Sequence, residues 1–100
     1  MEIVNIKIND LIAAEYNPRQ LTKKQYKNLK DSMQKFGIVD PIIININKDR
    51  KNTIIGGHQR VKIAKVLGFK EIACVEWDLT YEKERELNIR LNKNIGEWDF

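Results

Sequence analysis

The stretch Thr53-Ile54-Ile55-Gly56-Gly57-His58-Gln59-Arg60-Val61-Lys62 decides how this chain folds. Three β-type residues run into two glycines, and a helical pattern of Val61, Ala64 and Leu67 follows, closed by Gly68. This reads as a strand, a tight turn and a helix from His58 to Leu67. A helix start presents unpaired backbone N–H groups and a partial positive charge. Most helices answer with Ser, Thr, Asp or Asn at the cap and an acid in the first turn. Here glycine, histidine, arginine and lysine stand instead, and no acidic residue occurs between Asn52 and Gly68. An uncompensated cation at that end costs about 0.3–1 kcal/mol. An anion seated on the turn offsets that cost, and phosphate is the usual one.

The turn therefore reads as a phosphate site made by Gly56, Gly57, His58, Gln59 and Arg60. Gly57 lets a phosphate approach the backbone. Arg60 can fork onto phosphate oxygens, and Lys62 adds charge. His58 can hydrogen-bond a phosphate or a base. The plainer alternative is a tight turn with its charges in solvent. A single histidine without His, Cys or acidic neighbours makes a poor metal site, and no metal ligands are assigned.

Upstream, Val4, Ile6 and Ile8 alternate with Asn5 and Lys7 as a half-buried strand. Asn9-Asp10 opens a short turn or helical stub holding Leu11 and Ile12. Asn17-Pro18-Arg19 reads as a rigid loop, with Arg19 a second phosphate ligand or a plain surface arginine. The clearest helix runs from about Lys23 to Phe36. Thr22 and Gln25 form a capping box, Leu21 can staple to Tyr26, and Gly37 closes the helix. Tyr26, Leu29, Met33 and Phe36 share one face. Lys23, Lys27 and Lys30 lie on another stripe, either a solvated face or a nucleic-acid contact. Gly37-Ile38-Val39-Asp40-Pro41-Ile42 leads into a buried strand, Ile42 to Ile46, as a strand entry or as a wall for a base or ribose. A polar turn at Asn47–Asn52 returns to the strand at Thr53, giving a hairpin.

Downstream, Ile72 to Trp77 is a further strand carrying Cys74. Thr80 caps a last helix through about Asn94, with Glu82 and Glu84 in its first turn. Asn88 and Asn92 are four apart on it and share a face, either solvated or placed to orient a phosphate or a metal-bound water. The order of elements gives an α+β class: a small mixed sheet with three helices.

One hundred residues make one domain, 1–100. The apolar fraction of 42% and charged fraction of 32% suit an ordinary globular chain. The net charge of +4 is compatible with nucleotide or nucleic acid. A single cysteine excludes an internal disulfide and fits a reducing cytoplasm. No apolar run approaches a membrane span. The stripe Leu87, Leu91, Ile95 and the aromatic end Gly96–Phe100 do not read as a solvated terminus: the tail either packs back on this domain or, the favoured reading, leads into a further domain. No Walker pattern, Rossmann glycine triplet, zinc spacing or serine triad occurs.

Taken in order, Asn17-Pro18-Arg19, Gly37–Ile42, Ile54–Arg60 and Gly68 resemble the ParB/sulfiredoxin superfamily over roughly residues 3–95. The resemblance implies a ParB/sulfiredoxin-like fold, a nucleoside triphosphate (CTP or ATP) at the Gly-Gly turn, magnesium as its companion, and DNA as a partner of the full-length protein. It also allows a homodimer. Partition ParB proteins carry Gly-Glu-Arg-Arg where this chain has Gly57-His58-Gln59-Arg60, so only Gly57 and Arg60 match. Sulfiredoxins carry a catalytic cysteine where His58 stands, which excludes their activity here. Leu87–Asp99, together with the Gly-Gly-His-Gln-Arg turn, looks most like ParB-like modules of phages and mobile elements, often placed before a DNA methyltransferase. Two rival functions are a nuclease or nucleotide hydrolase using His58 as base, and a DNA-binding or dimerisation module that needs no nucleotide.

Overall fold

The computed structural model describes residues 2–16, 20–38 and 40–98, with side chains described as far as residue 92. The elements are β1 (Ile3–Lys7), a single 3-10 turn (Ile8–Asp10), α1 (Lys23–Phe36), β2 (Ile42–Asn45), β3 (Thr53–Gly56), α2 (His58–Val66), β4 (Glu71–Trp77) and α3 (Tyr81–Trp98). The class is α+β, as the residue pattern predicts.

The sheet order is β1-β4-β2-β3. β1 runs antiparallel to β4, pairing Val4 with Cys74 and Ile6 with Ile72. β4 runs parallel to β2, pairing Ile42 with Cys74. β2 and β3 form the hairpin, with a register shift between Ile43 and Ile44. Apart from Gly56, which pairs with Ile43 beyond that shift, even-numbered β residues therefore share one face. Ile42, Ile44, Ile54, Ile72 and Cys74 meet Met33 of α1 and Val61, Ile63 and Ala64 of α2 in one core. Val4 and Ile6 pack against its margin. α3 lies against β3.

Local chemistry explains the boundaries. Both halves of the capping box form: the Thr22 hydroxyl accepts from the Gln25 amide at 3.1 Å, and the Gln25 side chain accepts from the Thr22 amide at 3.0 Å. Gly37 ends α1 with φ +75°, a conformation that disfavours any side chain. The Thr80 hydroxyl accepts from the Lys83 amide at the start of α3.

Four expectations are corrected. The helical stub falls at Ile8–Asp10, one step early, because Ile8 is drawn into the core. Ile12 then pairs with the outer edge of β3, its amide donating to the Asn52 carbonyl and its carbonyl accepting from the Ile54 amide, both at 2.9 Å. Phe36, assigned to the buried face of α1, is 68% exposed at the helix end, with Lys35 over its ring. α3 runs past Asn94 to Trp98. Of the expected aromatic exit at Trp98 and Phe100, Trp98 ends α3 and Phe100 lies outside the described residues.

Candidate functional site

Gly57 is the N-cap of α2 and adopts φ +99°, ψ 22°, in the left-handed region. No side chain caps the helix, and its first turn holds no acid. A Cβ on Gly57 would come within 2.6 Å of Ile42 Cδ1 and 2.9 Å of Arg60 Nη2. Glycine is therefore required twice, by backbone angle and by space. Gly56 is tight for a different reason: its Cβ would meet Leu91 Cδ1 at 3.0 Å.

Arg60 lies folded over this turn and does not extend into solvent. Its Nη2 donates to the Pro41 carbonyl at 3.2 Å. Its Nε is buried and has no hydrogen-bond partner. Burial lowers its pKa, against the pull of Asp40. The guanidinium thus lies at the helix start with one buried donor unanswered, and the Nε of Arg85 on α3 is likewise buried and unanswered. The expected fork onto phosphate is thus narrowed, because one terminal nitrogen already serves Pro41. Of the Gly37–Ile42 segment, Pro41 borders the turn through its carbonyl and Ile42 through its side chain, and Val39 lies outside the described residues.

His58 contradicts the general-base reading. It is buried, and its Nε2 accepts from the Ala14 amide at 3.1 Å. That bond fixes the neutral ring with its proton on Nδ1. Burial first, then the charge of Lys62, lowers its pKa. The imidazole anchors the Ala14 segment beside α2, and Nε2 has no lone pair left for a substrate proton. Gln59 is half-buried and engaged, and Lys62 is exposed. Arg19 lies outside the described residues, as do Asn17 and Pro18.

Asn88 is 3% exposed, and its amide donates to the Ile55 carbonyl at 2.9 Å. Asn92 donates to the Asn88 carbonyl oxygen at 3.4 Å. Asn88 is therefore not solvated, whereas Asn92 is half-buried. Asn88 ties α3 to the strand that delivers the Gly-Gly turn. Lys23 and Lys27 are exposed and Lys30 is half-buried, so this stripe is a surface feature of α1. Cys74 is fully buried in the sheet, and burial pushes its thiol up to about 11, which makes it inert.

Sequence reasoning missed one constellation. Glu84, assigned to the dipole of α3, is fully buried. It accepts from the Tyr16 hydroxyl, from Asn45 Nδ2 at 2.9 Å, and from Arg50 Nε at 3.1 Å and Nη2 at 2.8 Å. Arg50 also reaches Glu15 at 3.0 Å. Burial alone would raise the Glu84 pKa, but the bonds from Arg50, Tyr16 and Asn45 outweigh it and hold the carboxyl below its ordinary range. A signal was present: Glu84, Leu87, Asn88 and Leu91 share helical spacing, so the buried stripe starts one turn earlier than its apolar members.

No group of three His, Cys, Asp or Glu side chains placed to hold a metal occurs among the described residues. The donor set at the turn is cationic and amide-rich, so it does not by itself cage a divalent ion. No helix among the described residues is long and apolar enough to cross a membrane.

The comparisons agree with this geometry. The family model described as the ParB N-terminal domain matches residues 1–95. A probable chromosome-partitioning protein ParB of Campylobacter jejuni is 32% identical over 83 residues, covering 82% of this chain and 30% of that protein. The chain thus spans under a third of that relative's length. Caulobacter crescentus ParB, C-terminally truncated and complexed with CTP-gamma-S, superposes with a TM-score of 0.80 at 21% identity, covering 92% of this chain and 53% of that one. Sulfiredoxin from Arabidopsis thaliana superposes with a TM-score of 0.71 at 23% identity, over 87% of this chain and 97% of that one. These two likenesses establish the fold. With the match over residues 1–95, this chain belongs to the ParB N-terminal domain family.

Proposed function

We propose that this domain binds a nucleoside triphosphate by its phosphates at the Gly56–Arg60 turn, and that it serves a DNA-associated, partition-type protein. The observation that carries the reading is the buried, unpartnered Nε of Arg60, folded over an uncapped helix start. A phosphate oxygen there would accept from Arg60 and meet the positive end of α2. Gly57 leaves the backbone bare for its approach. Lys62 adds long-range charge, and Arg19 is the second proposed phosphate ligand. His58 and Asn88 are positioning residues: one fixes the Ala14 segment and the other fixes β3. The Caulobacter relative bound to a CTP analogue supports the class of ligand.

A magnesium ion, if it accompanies the nucleotide, would be held chiefly by phosphate oxygens and water, and no step of this reading runs through it. A methyltransferase domain downstream is a proposal that rests on the sequence resemblance alone. The nuclease or hydrolase reading loses its base to the Ala14 amide.

Thermal shift and calorimetric titration with CTP, ATP, GTP and UTP, each with and without magnesium, test the proposal. A ligand at 100 times its Kd stabilises by about 2.7 kcal/mol. For a domain of this size that corresponds to a Tm rise of about 10–20 °C. Arg60→Ala removes the rise. No shift with any of the four nucleotides refutes the reading.

A further inference from the structure

α2 has nine residues and is thus about 13 Å long. At its far end from Gly57 lies a cleft of about 730 Å³, lined by Lys7, Ile8, Lys65, Phe69, Lys70 and Glu71 among others. The three lysines come from three separate elements. Lys7 ends β1, Lys65 occupies the last turn of α2, and Lys70 immediately precedes β4. The backbone there is fixed, with the Ile8 amide donating to the Lys70 carbonyl at 3.0 Å. Lys65 is explained by the negative end of α2, but Lys7 and Lys70 are not.

The described ion pairs join Arg50 to Glu15 and Glu84, and Arg90 to Glu86. None involves the cleft lysines, even though Glu71 stands opposite Lys7 in the β1–β4 register. Within the cleft three exposed cations face one carboxylate, Glu71, while Asp10 and Glu76 line the adjoining groove that Lys7, Glu71 and Lys51 share. Lys65 and Lys70 thus carry the positive charge of the cleft. Its apolar members offer no anchor, since Ile8 is 2% exposed and Phe69 is half-buried against the core. That disfavours a peptide side chain or a stacked base. Compact ammonium charges on a rigid rim suit a row of phosphates.

We propose that this cleft docks the sugar-phosphate backbone of duplex DNA, at a site distinct from the Gly57 turn. The proposal rests on the DNA-associated half of the reading above and not on nucleotide binding.

The test is fluorescence anisotropy with a labelled mixed-sequence duplex of about 20 base pairs, titrated between 50 and 200 mM salt. Two triple variants are compared with the parent chain. One is Lys7→Ala/Lys65→Ala/Lys70→Ala. The other, Lys35→Ala/Lys48→Ala/Lys83→Ala, removes three exposed lysines elsewhere, so both lose the same charge from a net +4. Each phosphate contact contributes about 0.9 to the slope of log K against log salt. The cleft triple is expected to lose about 2–3 from that slope, and the second triple is expected to keep it. Circular-dichroism melts confirm that both variants fold. The nucleotide thermal shift of the cleft triple is read in parallel, so failure of either reading is seen separately. Equal slope losses in the two triples overturn the proposal, as does an unchanged slope in the cleft triple. A parent chain that binds anionic vesicles but no duplex overturns it too.

Discussion

Single residues at the start of α2 carry the sharpest consequences. Gly57→Ala would add a Cβ at φ +99°, 2.6 Å from Ile42 Cδ1 and 2.9 Å from Arg60 Nη2. Left-handed strain and overpacking act together, and the expected loss is about 1–3 kcal/mol in urea denaturation. The same substitution displaces Arg60, so any nucleotide-induced Tm rise falls with it. His58 gives a pH signature. Burial and Lys62 both disfavour the imidazolium, which places the native pKa below the ordinary 6.5. The folded state therefore binds fewer protons than the unfolded one near that pH. The stability from His58 is complete above 6.5 and falls as pH drops below it. Melting temperatures from pH 8 to 5.5 should show that decline. His58→Gln, which can still accept from the Ala14 amide, should flatten it.

Elements were legible wherever the signal was local. The Thr22–Gln25 box and Gly37 bound α1, β-branched runs mark β2 and β3, and the double glycine marks the turn into α2. What local pattern could not supply was partnership. Nothing in β4 says that it inserts between β1 and β2, because that pairing joins segments distant in sequence. Nothing in Ile8 says that it leaves the strand to fill the core. Asn88 was visible as an oddity on α3, but its role depends on β3 arriving beneath it. Its bond to the Ile55 carbonyl serves an edge strand that has β2 as its hairpin partner. Asn88→Ala leaves that carbonyl buried and unanswered, an expected cost of about 1–3 kcal/mol. Because Gly56 follows Ile55 directly, the change should also weaken nucleotide binding. Asn88→Asp loses the donor and sets a buried carboxylate against the Ile55 carbonyl, so it should cost at least as much as alanine in both assays.

At the scale of the whole molecule, Glu84 joins segments that the sheet alone does not. Tyr16 belongs to the stretch before α1, Asn45 ends β2, Arg50 sits in the hairpin turn, and Glu84 itself lies on α3. Asn45 extends the tie, with its Nδ2 donating to the Leu79 carbonyl and its Oδ1 accepting from the Leu79 amide. The carboxylate is fully buried, whereas Arg50 retains 19% exposure and a second partner in Glu15. Losing Glu84 therefore does not strand Arg50 completely. Glu84→Gln is expected to cost about 3 kcal/mol, the lower end for a broken buried pair. Acid should mimic it. The native pKa of Glu84 is held below the ordinary 4.5, so its contribution is complete above that value. It is lost as pH falls through the lower native value, because only the unfolded chain takes up the proton readily. Urea midpoints from pH 7 to 2 should fall steeply in the parent chain below about 4.5 and less steeply in Glu84→Gln. Parallel curves would mean that the acid sensitivity belongs to other carboxylates, and that the four segments are held together by packing alone.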